Sequence, residues 1–311
     1  MSENKKTQIR QADNKVKIEG ILKEISLSEG KNDKNIDIIS GDVVILTGEH
    51  SEHSVSVYVA KETKDGKENR AFKGISTVMK EYVSIAALLK DGRTMEEAKE
   101  MATKIRVGNA QLSLNEFYSN DDLISRPRIS SNFFNRIEDN SFDPKAEFEI
   151  ECYFEKVRKE MKDSEETGRL LIDAIVPMYG GTVVPMEFVA DGGVAEYLEN
   201  NYETKKTGRI WGEIVNIAER VVTKKSGFGK DKEDITVNYT RELVITGGNE
   251  EQYDDDSEKA YSAKQIKEAW KIRESETLPA LLKKSKDKDK GAKTDSGKKA
   301  SKASKAAGFT Y

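Results

Sequence analysis

The sequence predicts a mainly β protein with short helices: two small five-stranded barrels in tandem, followed by a C-terminal helix and a disordered tail. Three observations carry that prediction. Along 104–118, Ile105 and Val107 alternate with polar residues, and after Gly108-Asn109 the alternation resumes in the opposite phase at Ala110, Leu112 and Leu114. Along 207–217, Ile210, Gly212 and Ile214 share one face, and the phase breaks before Ile217. Alternation marks a half-buried strand, and a phase change beside glycine marks a bulge or bend, which a small, highly curved barrel needs. The third observation is that the order of elements around the first stretch recurs around the second.

Residues 1–14 are polar and read as a flexible arm. The first domain spans 15–138. Its first strand, 15–27, alternates through Val16 and Ile18 and bends at Gly20. Residues 36–47 and 54–60 are β-branched, bounded by turn chemistry, and supply two more strands. A helix follows within 71–89, and a second over 94–102 with a capping-box pattern at Thr94 and Glu97. The bent strand and a last strand over 123–134 complete the set. Three strands, a helical insertion and two strands is the order of an OB-fold.

Residues 139–145 form a linker, and 146–248 repeat the order. Strands are expected at 146–157, 170–176 and 182–189, then a short helix at 193–202, then strands at 208–222 and 235–246. A charged Gly/Lys loop, 223–232, joins the last two. Residues 249–282 hold an acidic cluster at Asp254, Asp255 and Asp256 and a helix with Ile266, Trp270, Leu278 and Leu281 as apolar contacts. Pro279 weakens the end of that helix. From 283 to 305 ten lysines stand against three aspartates with no strong apolar residue, a composition that stays disordered to the chain's end at Phe309-Thr-Tyr311.

The chain has 311 residues, 36% hydrophobic and 35% charged, with a formal net charge of −4. That balance argues against a uniformly basic binder, but the charge is unevenly placed. Nothing resembles a secretory leader or a membrane span, so a cytoplasmic protein is expected. The single Cys152 alternates with apolar residues and reads as core. Catalytic chemistry finds little support. There is no phosphate loop, zinc-protease motif or nucleophile elbow. His50 and His53 read as solvated turn residues, and adjacent aspartates on a loop point apart rather than round a metal. No enzyme, no metal and no cofactor are expected.

The residues do suit sequence-tolerant binding of a single nucleic-acid strand, which needs cations along the phosphates and aromatics under the bases. In the first domain Arg70, Lys73, Lys104 and Arg106 flank Tyr58 and Phe72; in the second Arg209, Lys224, Lys225 and Lys230 flank Trp211 and Phe228. Core packing competes with stacking for each aromatic, because half the positions of a strand face inward. Trp211 has the opposite parity to Ile210, Gly212 and Ile214, so it should face away from them.

Two stretches carry a resemblance: Gly108 with the strand running to Leu114-Asn-Glu-Phe-Tyr118, and Thr240-Arg-Glu-Leu-Val-Ile-Thr-Gly-Gly248. Residues 15–248 thereby resemble the OB-fold single-stranded DNA-binding proteins of phages of Gram-positive bacteria. The resemblance implies a replication or recombination protein that coats single-stranded DNA without catalysis, in the host cytoplasm, with replication or recombination proteins as partners through the C-terminal tail. The chain departs from that family's acidic tail: its acidic cluster is internal and its tail basic. A phage structural or assembly protein with β-domains for protein contacts, and an RNA-binding OB protein, remain open. The oligomeric state is not legible.

Overall fold

The computed structural model describes residues 9–119, 121–138, 141–225 and 232–294; the side chains at 219–235 and 287–294 lie outside the description. The chain is mainly β with short helices. Its first half contains β1 (Asn14–Lys31), β2 (Asp37–Leu46), β3 (Glu52–Ala60), α1 (Arg70–Glu81), α2 (Ile85–Lys90), α3 (Met95–Met101), β4 (Lys104–Ser119), β5 (Asp122–Ser130) and β6 (Phe133–Arg136). The second half contains β7 (Lys145–Lys162), β8 (Glu165–Pro177), β9 (Val183–Ala190), α4 (Gly192–Asn201), β10 (Thr207–Lys225), β11 (Lys232–Gly248), α5 (Ala263–Ile272) and α6 (Leu278–Thr294).

Strand pairing makes two circuits of the same form. β1 pairs with β2 and β2 with β3, all antiparallel; β3 then meets β5 in parallel at Val55 and Ile129. β5 pairs with β4, and β4 returns to β1. In the second half β7–β8–β9 are antiparallel, β9 meets β11 in parallel at Val189 and Val244, β11 pairs with β10, and β10 returns to β7. The circuits are sewn together by β1 and β7, from Asn14 opposite Ile150 to Glu19 opposite Lys145, so the described strands form one sheet of eleven.

Both organising strands bend as their phase changes require, each by its own device. Val16 pairs with Ala110 but Ile18 with Val107, so β4 carries one extra residue at the break. Asn109 takes the left-handed conformation there (φ 49°), while Gly108 lets β6 approach: a Cβ on it would stand 3.3 Å from that of Phe133. On β10, Gly212 lies against β11 so closely that a Cβ would fall 1.9 Å from the Val244 carbonyl oxygen. The extra residue is on the partner, where Trp211 faces Gly247 and Gly212 faces Ile245.

Several expectations are corrected. The helix expected within 71–89 is two, because Ser84 caps α2 by accepting from the Ala87 N–H (3.2 Å) after α1 has ended. The last strand of the first half is also two. Ser131 interrupts it, donating to the Gly108 carbonyl oxygen (2.5 Å) and accepting from the Phe133 N–H (3.0 Å), and β6 then turns back to pair with β4. Thr223, Lys224 and Lys225 are strand rather than loop, since β10 and β11 stay paired as far as Lys225 opposite Lys232; the rest of the expected loop, 226–231, lies outside the described residues. His53 is fully buried on β3 instead of solvated, with the Ser51 hydroxyl 3.4 Å from Nε2, whereas His50 is exposed. Thr94 and Glu97 do form the capping box of α3.

The C-terminal helix runs further than its composition suggests. α5 starts on a Ser262–Gln265 capping box, widens into one π turn at Arg273–Thr277, and continues as α6 to Thr294. Proline lacks an N–H and crowds the carbonyl four residues back; the wider turn just before Pro279 accommodates both defects. Residues 283–294, expected to be disordered, are therefore helical, and 295–311 lie outside the described residues.

One core runs through both circuits, from Ile9 to Ala269, and includes Cys152, whose thiol burial pushes well above its ordinary value. A smaller cluster of Ile85, Leu88, Ala98 and Ala102 lies under α2 and α3. Among the described residues no helix is long and apolar enough to cross a membrane.

Candidate nucleic-acid interface

The structure distributes the residues singled out from the sequence among separate neighbourhoods. Tyr58 points outward from β3, 54% exposed, opposite Ser40. Arg70 and Lys73 are exposed on the first turns of α1, where Phe72 packs against the core instead of offering a stacking face. Lys104 and Arg106 fasten the segment between the two halves. The Lys104 ammonium sits 4.9 Å over the Phe142 ring, and Arg106 donates to the buried Glu19 (2.7 Å) and to the Ser141 hydroxyl (3.3 Å). Burial would raise the Glu19 pKa, but the Arg106 guanidinium and the Asp143 N–H hold it below the usual carboxylate range.

Arg209 is likewise engaged internally. It pairs with Asp13, with Glu149 (3.1 Å) and with Glu151 (3.5 Å). Glu151 is fully buried on β7 and also accepts from Arg10 (2.9 Å), the Asp13 N–H (3.1 Å) and the Tyr253 hydroxyl (3.0 Å). Burial alone would raise its pKa; these donors outweigh it and lower the value. The node ties the N-terminal segment, β7, β10 and the stretch before α5 together, which is a structural role.

Trp211 does face away from the buried Ile210, Gly212 and Ile214; it is 40% exposed. Its indole rests on Gly247, where a Cβ would come within 2.4 Å of Nε1. Lys224 and Lys225 stand at the far end of β10, and Phe228 and Lys230 lie outside the described residues.

What the fold does gather is a cleft of about 1160 Å³ between the two circuits. The β4–β5 hairpin of the first half supplies one wall, strands of the second half the floor, and α5 the other wall. Leu114 and Pro127, Leu171 and Pro185, and Ile266 and Trp270 make its lining apolar. Five carboxylates also line it, and every one is paired: Glu155 with Lys205, Glu160 and Glu242 with Arg169, and Asp173 and Glu187 with Arg158. Arg126 and Lys267 line the cleft too, and neither has a carboxylate partner among the described residues. Lys264, Lys267 and Lys271, all exposed, fall at i, i+3 and i+7 and so form a stripe along α5. Trp270 keeps its ring in place by donating from Nε1 to Glu274 (2.9 Å), under the Arg273 guanidinium at 5.7 Å.

None of Arg126, Lys267 or Trp270 stood out as a binding residue in the sequence, where 264–282 offered only apolar contacts. The signal was there in the helical spacing of the three lysines. No periodicity could have shown that the first half's hairpin faces the last helix.

A family model described as YorF matches residues 12–280. No curated protein matches the chain. Among solved structures it is similar to the wild-type single-stranded DNA-binding protein from Thermus aquaticus, at 10% identity and a TM-score of 0.41, covering 77% of this chain and 93% of that one. A deletion mutant of the same Thermus aquaticus protein gives 11% identity and a TM-score of 0.41, over 79% and 97% of the two chains. The family match runs through both strand circuits and α5 to the first residues of α6, so the chain belongs to the YorF family.

Proposed function

We propose that this protein is a non-catalytic single-stranded DNA-binding protein, acting in phage DNA replication or recombination in the cytoplasm of the host cell. On this reading the two circuits are OB-like barrels, and a single strand lies in the cleft between them. The observation that carries it is the state of charge in that cleft: each of its five carboxylates is held in an ion pair with Lys205, Arg169 or Arg158, while Arg126 and Lys267 line it without acidic partners among the described residues. An apolar floor with an aromatic at the wall takes unstacked bases, and mobile cations at the rim take phosphates; duplex DNA, with its bases paired and stacked, gains nothing from such a floor.

The alternative, a phage assembly protein, would use the same apolar lining for a protein segment. Titration of a Trp211→Phe variant with oligo-dT, following Trp270 emission, separates the two. Saturable quenching by oligo-dT that weakens with salt, and none by duplex of equal length, is the expected result. An emission that ignores oligo-dT at low salt would overturn the reading.

A further inference from the structure

We infer that Tyr239 and Arg241 form a second nucleotide site beside the cleft, where an unpaired base stacks on the tyrosine ring and its phosphate meets the guanidinium. The inference rests on the reading of the cleft as the seat of a single strand. In an antiparallel pair, residues directly opposite each other share a face. Ile214 stands opposite Leu243, Asn216 opposite Arg241, and Ala218 opposite Tyr239. The first pair is buried and lines the cleft, and Arg241 lines it too. The same face of the β10–β11 ribbon therefore runs on from the cleft through Arg241 to Tyr239 and then to Val237.

What stands on that face suits a nucleotide. Beyond Ile214 and Leu243 no described residue of the ribbon is buried, so the core does not account for an aromatic there. The Tyr239 ring is 46% exposed, with the Arg241 guanidinium 5.1 Å from its centroid. Arg241 donates from Nε to the Asn216 amide oxygen (3.3 Å) and has no carboxylate partner among the described residues. Val237, 41% exposed, carries the apolar strip one step farther. An aromatic face beside a cation holds an unpaired base of any sequence, the ring taking the base and the cation its phosphate. The platform is also fixed in place, as a binding group must be. Ser51 of the first half bridges to Ile217, the Ala218 N–H donates to the His50 carbonyl oxygen (3.1 Å), and the Asn216 amide donates to that of Glu52 (2.5 Å).

Strands of oligo-dT of about 4 and about 16 nucleotides separate this site from the cleft. Both are titrated against the full chain carrying Trp211→Phe, alone or with Tyr239→Ala or Tyr239→Phe, and followed by Trp270 emission. The short strand is expected to bind alike to all three proteins. The long strand should bind about tenfold more weakly to Tyr239→Ala, and undiminished to Tyr239→Phe, whose ring still stacks. Equal affinity of Tyr239→Ala and its parent for the long strand would overturn the proposal while leaving the cleft in place. So would a loss of the same size with both lengths, which marks a damaged ribbon, or a Tyr239→Phe as weak as Tyr239→Ala. Trp270 emission that ignores both strands in the parent overturns the cleft reading itself, and the second site falls with it.

Discussion

Arg273, buried in the π turn of the C-terminal helix, forms an ion pair with Glu116 of β4 while donating to the Val183 carbonyl oxygen of β9 (3.3 Å). One guanidinium thus holds the first half's hairpin, the second half's sheet and the helix that walls the cleft. Removing one partner of a buried pair strands the other charge without water. Arg273→Ala is expected to lower stability by about 3–5 kcal/mol, and Arg273→Met combined with Glu116→Leu by much less. Urea denaturation decides it; equal losses in both would mean the pair itself is unimportant.

Acid destabilisation should come in two stages. Burial lowers the His53 pKa from 6.5 to about 4, so below pH 6.5 the unfolded chain takes up a proton that the folded chain refuses. Stability then falls as pH drops from 6.5 to about 4, by about 3 kcal/mol in all. Glu151 and Glu19 have folded pKa values below 4.5, so what they contribute is present above pH 4.5 and is lost as pH falls through the folded values. His53→Leu should flatten the upper stage and Glu151→Gln the lower. An upper stage unchanged in His53→Leu would exclude the assignment.

If a single strand occupies the cleft, Arg126→Ala and Lys267→Ala should each weaken oligo-dT binding and reduce the salt slope by about 0.7. Lys104→Ala, whose ammonium lies over Phe142, should leave the slope unchanged. The reverse pattern in the salt series would return the interface to the residues first read from the sequence.

Gly212→Ala places a Cβ 1.9 Å from a backbone oxygen that no side-chain movement can relieve. The expected cost is about 3 kcal/mol or more. Gly247→Ala instead meets the Trp211 indole, which can swing aside, so it should cost less and shift Trp211 emission to the red. Thermal denaturation ranks the two, and the opposite order would contradict the packing.

Truncation after Thr294 should leave the melting temperature unchanged. Truncation after Leu282 should lower it by several degrees, because it removes the Ser285 hydroxyl that donates to the Tyr118 carbonyl oxygen (3.0 Å) and the Lys286–Asp121 pair (3.6 Å) that steady the β4–β5 hairpin. Identical melts for the two truncations would show that α6 adds nothing there.

The fold was more legible in the sequence than the site. Periodicity located the strands, and the phase change at Gly108-Asn109 marked a true bulge, because side-chain alternation is a local property. What periodicity could not carry was contact between distant segments. Arg106 and Arg209 read as cations for phosphates until the fold placed Glu19 and Glu151 beside them. His53 read as solvated because its neighbours are polar, yet strand parity turns it inward with Val55 and Val57. The lysines beyond 283 read as disordered because composition alone does not register the hairpin against which α6 leans.

The seam between β1 and β7 has a consequence for how the protein is made. Among the described strands β1 leaves the ribosome first, and β2 to β5 can close upon it once Ser130 has emerged. Its edge from Asn14 to Glu19 then waits for residues 145–150. At about 5–20 residues per second that is a delay of roughly 1–4 seconds, during which a nascent chain offers an open edge to every neighbour on the same polysome. Lys15 and Lys17, exposed on that edge, are the residue type that refuses a foreign strand, so the newborn chain carries its own guard until β7 arrives.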